Sequence, residues 1–441
     1  MFNPKKIVAS VAALGCAFAA FSTGAAVQAE PVSNSYSIVG SDTLEDVVNA
    51  IVNGTAITGA TVRVTQNGAT LGSFDATGTP YVITKPGGVR FSRPNGSGEG
   101  FNALSSSMYE GATAANNFFT SATYQGVGAV NATGNSSMPA GLKNVNVFGQ
   151  VDIARSSSGD PKTTSRTGTE ADATIVRVPF ARDAIALAFT PSLATAVCNA
   201  GQDGDAGTPC VPYLTEAQLL SLYETTSATP SITIGVTQVT AKGIVPQSGS
   251  GTRKDFLIKI GSSSASGTES AALTAAVTAG RVAVGQEHDA TNAAMTGDAV
   301  MPMSASRWIA MQNGASFDKS GTAVIGSVYT ATTLGASPVS GTAPALSPST
   351  TYYADGTWGR NVYLFVERAR IDNTFTAGGA IVAGAKYDEN LAALLAPANN
   401  KLSNSETTGA SKVGKVKLLF GFLAPSSTSL AYYAPAYTGS K

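Results

Sequence analysis

Three segments of this chain repeat one design: a short apolar run, a turn of glycine with serine or threonine, then apolar residues at helical spacing. Residues 36–39 run into Gly40-Ser41-Asp42-Thr43, after which Leu44, Val47, Val48 and Ile51 recur at i, i+3, i+4 and i+7 before Gly54. Asn95-Gly96-Ser97-Gly98 opens a second helix with Phe101, Leu104 and Met108 on one face. Ile244-Val245 ends a strand, and Ser248 to Thr252 turns into a helix over 253–260. Strands alternating with helices through tight turns build layered structure, so the predicted class is α/β.

The rest of the pattern fits that class. Residues 56–89 read as β structure broken at Asn67-Gly68 and Pro86-Gly87-Gly88, an insert. Residues 112–143 are polar and rich in Asn and Gly, which predicts a long surface loop. A buried strand over 145–154 leads into Arg155-Ser156-Ser157-Ser158. Two apolar runs, 175–180 and 184–189, are expected to be strands crossing between lobes, with a return crossing at 299–303. Thr215-Glu216-Ala217-Gln218 is a capping box that starts a helix. A helix over 306–312 and late strands over 361–367 and 416–423 complete the reading.

The first residues predict export. Lys5 and Lys6 precede a small-residue apolar run over 7–21, and Val27-Gln28-Ala29 fits a small-x-small cleavage site. The expected signal peptide is 1–29. Lipidation at Cys16 is the minor reading, because the order Ala13-Leu14-Gly15-Cys16 is unlike a lipoprotein site. No later stretch reaches spanning length, so a periplasmic or secreted soluble product follows. Two cysteines remain after cleavage, Cys198 and Cys210, and an oxidising compartment predicts a disulfide between them.

The mature chain is longer than one ordinary domain, which predicts two lobes. In the full sequence 28 Lys and Arg balance 28 Asp and Glu, and nucleic acid is an unexpected partner for so neutral a chain. The three turns offer different chemistry. A helix start leaves backbone N–H groups unpaired and carries partial positive charge. Glycine lets an anion approach that backbone, and serine or threonine adds a hydroxyl donor. Ordinary capping uses the same residues. Three such turns, joined by Arg155 and Arg253, point to an oxyanion site.

Six stretches, in order, resemble the phosphate-binding protein of ABC-type phosphate importers, a family of type II periplasmic binding proteins. They are Ile38 to Thr43, Asn95 to Gly100, Val151 to Ser157, Val178 to Ala186, Leu214 to Leu219, and Ile244 to Arg253 with its Gly249-Ser250-Gly251-Thr252-Arg253 turn. They span about half the chain, and the last third matches loosely. The resemblance implies a two-lobed fold hinged on two crossing strands, with 30–180 and 302–441 as one lobe and 181–301 as the other. It implies phosphate contacts from Thr43 and the Leu44 amide, from Ser97, from Ser156 or Ser157, and from Ser250, Gly251, Thr252 and Arg253; the turns themselves add Ser41, Asp42, Gly98 and Arg155 to the expected ligand-binding residues. Where the family places a proton-accepting Asp this chain has Ser157, and where some members place an Arg it has Pro246 and Gln247. Asp42 is the expected substitute acceptor, with Glu99 and Asp160 behind it, and Arg253 is the expected main cation.

The expected protein is a monomer, not an enzyme, without cofactor or metal. It is expected to capture inorganic phosphate or a related oxyanion and to meet an importer permease. A secreted scaffold or adhesive protein that has lost transport is the alternative, as is a binder of another oxyanion. An extracellular phosphatase would need a metal cluster or an activated nucleophile. Ser97 and Ser250 lack the outer glycines of a nucleophile elbow, and Gly409 to Lys415 lacks the Ser or Thr of a phosphate-binding loop. His288 is the only histidine, and it is expected in a surface turn. Trp308 and Trp358 are read as packing residues.

Overall fold

Apolar residues fill 175–189 almost without a break, and the chain uses them as one strand rather than the two expected. That strand, Ile175–Phe189, is buried along nearly its whole length and shifts register between Pro179 and Ala181. Proline has no N–H for the ladder, so the irregularity falls beside it. The computed structural model describes residues 35–57, 59–108, 118–121, 125–126, 129–130, 140–159, 174–205, 209–376 and 382–433. The expected signal peptide, Cys16, Asp160 and most of the loop over 112–143 lie outside the described residues.

Eleven strands among these residues form one sheet. They are β1 (Tyr36–Gly40), β2 (Leu71–Ser73), β3 (Ile153–Ser156), β4 (Ile175–Phe189), β5 (Tyr213–Thr215), β6 (Lys242–Pro246), β7 (Ala283–Gly285), β8 (Ala299–Ser304), β9 (Val324–Tyr329), β10 (Gly359–Glu367) and β11 (Ala431–Tyr433). The main path runs β7-β6-β8-β4-β10-β3-β1-β2, with β9 and β11 also pairing β4, and β5 pairing β9. β1 is parallel to β2 and β3, and β6 is parallel to β7 and β8. Parallel neighbours require crossovers. Helices α1 (Glu45–Asn53) and α2 (Ser97–Ser107) lie in those of the first group. In the second group, α5 (Gly251–Lys259) and α6 (Ala271–Thr278) connect β6 to β7. The fold is mixed α/β.

The core changes partners along β4. Val176, Val178 and Phe180 pack with Ile38, Leu44, Val48 and Ile153. Ile185, Leu187 and Phe189 pack instead with Leu219, Tyr223, Phe256, Tyr352 and Trp358. β10 runs antiparallel beside β4 through this changeover, from Ile175 opposite Glu367 to Ala184 opposite Gly359. The expected return crossing at 299–303 is strand β8, but it pairs only with 185–189 of β4. β10 is therefore the second strand to span the changeover.

Other elements refine the sequence reading. Helix α3 (Pro191–Asn199) carries Cys198, which is bonded to Cys210 with Cα atoms 6.4 Å apart. The capping box at α4 (Glu216–Tyr223) forms in both directions: the Gln218 N–H donates to Thr215 Oγ1, and the Thr215 N–H donates to Gln218 Oε1. Trp358 is fully buried and Trp308 nearly so. Helix α7 (Ala305–Gln312) follows β8 as expected. Within 56–89, read as an insert, Leu71–Ser73 forms the edge strand of the main sheet beside β1. The late strand expected over 416–423 is instead helix α10 (Val413–Leu419). Val413, Val416 and Phe420 sit at helical spacing and join one core cluster.

Candidate functional site

Two of the three turns meet directly. The Gly98 N–H at the start of α2 donates to Gly249 O at 3.1 Å. Gly251, first residue of α5, lies so close to Ser97 and Ser157 that a Cβ there would fall 2.5 Å from Ser157 Oγ and overlap Ser97 Oγ. The Ser157 N–H donates to Ser97 Oγ at 3.0 Å, and the two hydroxyls are 3.2 Å apart. Gly96 has φ +94, a conformation that suits glycine, and a Cβ on it would meet Gly249 O at 2.5 Å. The first turn joins through Gln247. Its Nε2 reaches Asn95 Oδ1 at 2.9 Å and Asp42 Oδ2 at 3.4 Å.

The first turn holds two buried polar atoms without partners. Ser41 Oγ and Asp42 Oδ1 are buried without a hydrogen bond. Asp42 Oδ2 accepts from Gln286 Nε2 at 2.5 Å. Burial, then the neighbouring Glu287 and Glu45, push the Asp42 carboxyl well above the usual carboxylate range. Asp42 Oδ2 accepts from both Gln286 and Gln247, and Oδ1 is the atom left open to a ligand. Thr43 Oγ1 donates to Glu287 Oε1 at 3.1 Å and lies 2.9 Å from His288 Nε2. Leu44 is a core residue whose N–H makes a long 3.4 Å bond to Ser41 O.

The remaining predicted residues divide. Ser250 caps α5, accepting from the Arg253 N–H at 3.0 Å. Thr252 Oγ1 accepts from Arg360 Nη2 at 2.7 Å. Ser156 is tied within its own turn, donating to Ser158 O at 2.7 Å. Arg155 is wholly buried and braces strand ends, through Ser73 Oγ at 2.6 Å, Phe74 O at 2.6 Å and Gly40 O at 3.1 Å. Arg253 departs from the expectation. It forks onto Glu269 at 2.7 and 2.8 Å and reaches Pro246 O at 2.8 Å. Helical side chains lean back toward the preceding turn, and here that direction leads to the end of β6 and to Glu269.

Three residues at the site were missed by sequence reasoning. Arg360 on β10 is buried beside Thr252 and forks onto Asp183 Oδ2 at 3.2 and 3.0 Å. Its Nη1 makes no hydrogen bond, the nearest acid being Asp255 at 3.7 Å. Asp183 Oδ1 is held in turn by Ser304 Oγ at 2.8 Å and Ser306 Oγ at 2.7 Å. Arg360 carried no signal, since one Arg in a β run looks like any other.

His288 is not in a surface turn. It is 1% exposed, with φ +58, and faces Thr43. Its Nδ1 accepts the Ser304 N–H at 3.2 Å, which assigns the proton of the neutral ring to Nε2. Burial lowers its pKa, and the neighbouring Glu287 works against that shift. Beside it, Glu287 Oε1 lies 2.9 Å from His288 Nε2. Burial acts to raise the Glu287 carboxyl, but His288 and the hydroxyls of Ser250 and Thr252 hold it down at about 2. One clue was available: Gln286-Glu287-His288 directly follows a parallel strand, at the carboxyl edge where α/β ligand sites gather. A ring that carries its proton on Nε2 is a donor to Thr43, not a base for it, so this geometry suits binding better than hydroxyl activation.

No family model and no curated protein sequence matches this chain. Solved structures that it resembles in chain path include an ABC-type phosphate transport receptor from Vibrio cholerae, at 18% identity over 63% of this chain and 81% of that one, with a TM-score of 0.33. PstS from Borrelia burgdorferi is 12% identical over 89% of this chain and 99% of that one, with a TM-score of 0.35. The phosphate-bound high-affinity periplasmic phosphate-binding protein PfluDING is 10% identical over 89% and 91%, with a TM-score of 0.37.

Proposed function

We propose that this chain is an exported solute-binding protein that closes two lobes around an oxyanion, inorganic phosphate before others, for delivery to an importer permease. One observation carries the reading: three glycine-serine turns, far apart in sequence, are gathered at one buried place with hydroxyls in plenty. Ser97, Ser157 and the Gly249–Gly251 turn are in contact. Ser41 Oγ and Asp42 Oδ1 lack partners there. Backbone N–H groups at helix starts and hydroxyl donors suit an anion, and Arg360 supplies the buried cation that the Pro246-Gln247 stretch lacks. Ser97 and Ser157 precede the core changeover in β4, while Ser250 and Thr252 follow it, so a ligand held by both sets favours closure about β4 and β10.

Isothermal titration of the purified mature chain with phosphate, arsenate and sulfate tests the reading. Saturable phosphate binding is the expected result. Heat from none of the three anions would return the chain to the alternative, a secreted protein that has kept the fold without the transport role.

A further inference from the structure

Glu287 stands where an oxyanion would. Its side chain is buried against a hydroxyl assigned to the ligand: Thr43 Oγ1 donates to Glu287 Oε1 at 3.1 Å, and Glu287 Oε2 is left without a hydrogen bond. His288 Nε2 lies 2.9 Å from the same oxygen and 2.9 Å from Thr43 Oγ1, so its one N–H is shared between them. The backbone presents it deliberately. The Glu287 N–H donates to Gln247 Oε1 at 2.7 Å, and His288 adopts φ +58, which non-glycine residues rarely do unless the surroundings over-determine it. A closed site of converging donors without an anion would leave buried polar groups unmade, which is costly. A carboxylate has the same kind of oxygen atoms as phosphate and meets that need for Thr43.

We infer that Glu287 is a resident anion: in the unliganded molecule its carboxylate takes the donors of Thr43 and His288, and an incoming oxyanion must displace it. The inference rests on the oxyanion reading above. Two anions cannot share these donors, because like charges at contact distance repel in a desolvated site. Glu287 thus competes intramolecularly with the ligand and lowers the apparent affinity, as any bound competitor does.

The test is titration of phosphate into wild type and Glu287→Gln, each checked for folding by circular dichroism. The amide keeps the shape and removes the charge. Glu287→Gln should bind phosphate at least tenfold more tightly than wild type. Equal or weaker binding by the variant, with wild type binding normally, overturns the inference and leaves the oxyanion reading intact. Absence of phosphate, arsenate and sulfate binding in both proteins overturns the oxyanion reading itself, and the inference with it. If Glu287→Gln does not fold, Glu287→Asp serves, since its shorter arm withdraws the carboxylate from the donors. Tighter phosphate binding supports the inference, and unchanged or weaker binding overturns it. Acetate offers a readout that a merely structural role would not move. In Glu287→Ala it should fill the vacated place and compete with phosphate, and its failure to do so contradicts the inference.

Discussion

Two arginines exchange roles between sequence and structure. Arg253 belongs to the most family-like motif, yet its guanidinium is occupied by Glu269 and Pro246 O. Arg253→Ala should therefore leave phosphate affinity within about threefold, since no charged bond worth about 1.5–3 kcal/mol is lost at the ligand. Arg360 lies against Thr252 with Nη1 lacking a hydrogen bond. Arg360→Lys, which keeps the charge but loses the fork, should weaken phosphate binding about tenfold or more, read by titration. Retention of full affinity in Arg360→Lys would remove the site's proposed cation. Burial raises the Asp42 carboxyl toward its neutral form, whose shape an amide keeps, so in Asp42→Asn phosphate affinity should fall by less than about tenfold. A larger loss, or new sulfate binding, would mean that Asp42 acts as an ionised acceptor. The hydroxyls were legible because strand-turn-helix patterning is local. Arg360, Glu287 and His288 were not, because their places depend on which strands become neighbours, and no local spacing encodes that.

The turns and helices carry their own consequences. Gly251 has ordinary helical backbone but no room for a side chain, since Ser97 and Ser157 press on it from the other side of the site. Opening the molecule would relieve that overlap. Gly251→Ala should abolish measurable phosphate binding while the unliganded melting temperature stays within a few degrees of wild type. Normal binding by this variant would show that the turns do not need to meet. The bond between Cys198 and Cys210 closes a loop with a sequence separation of 12. Replacing both by serine should cost about 2–3 kcal/mol in denaturant unfolding. Helix α10 shows where pattern reading fails. The stretch over 416–423 looked like a strand because of its apolar run, but Lys417 within it is buried. Its Nζ donates to Phe180 O at 2.6 Å, Leu402 O at 2.7 Å and Asn404 O at 2.8 Å. A lysine that satisfies three carbonyls cannot be anticipated from hydrophobic period alone.

Across the whole molecule the site is a store of buried carboxyl groups, and stability should register it. Glu45, on α1 behind the first turn, accepts from the Ala76 N–H at 2.9 Å. Burial, then Asp75 and Asp46, raise its carboxyl to about 7 against an ordinary 4.5. A raised carboxyl binds a proton in the folded state that the unfolded chain has released. Its contribution is therefore full below pH 4.5 and is lost as pH rises to about 7, by up to about 1.4 kcal/mol per pH unit. His288, whose pKa is lowered by burial, works in the opposite direction, because the unfolded ring takes up a proton below 6.5. The comparison that isolates Glu45 is with Glu45→Gln, whose unfolding free energy should fall less steeply across that window. Parallel curves for the two proteins would contradict the assignment. The lobes and their closure rest on ligand placement, and one measurement reaches that directly. Crystals grown with arsenate, a phosphate analogue, locate the anion by anomalous scattering from arsenic. A peak within hydrogen-bonding distance of Ser97, Ser250 and Arg360 is the expected result, and a peak elsewhere, or none at saturating arsenate, would contradict the oxyanion site.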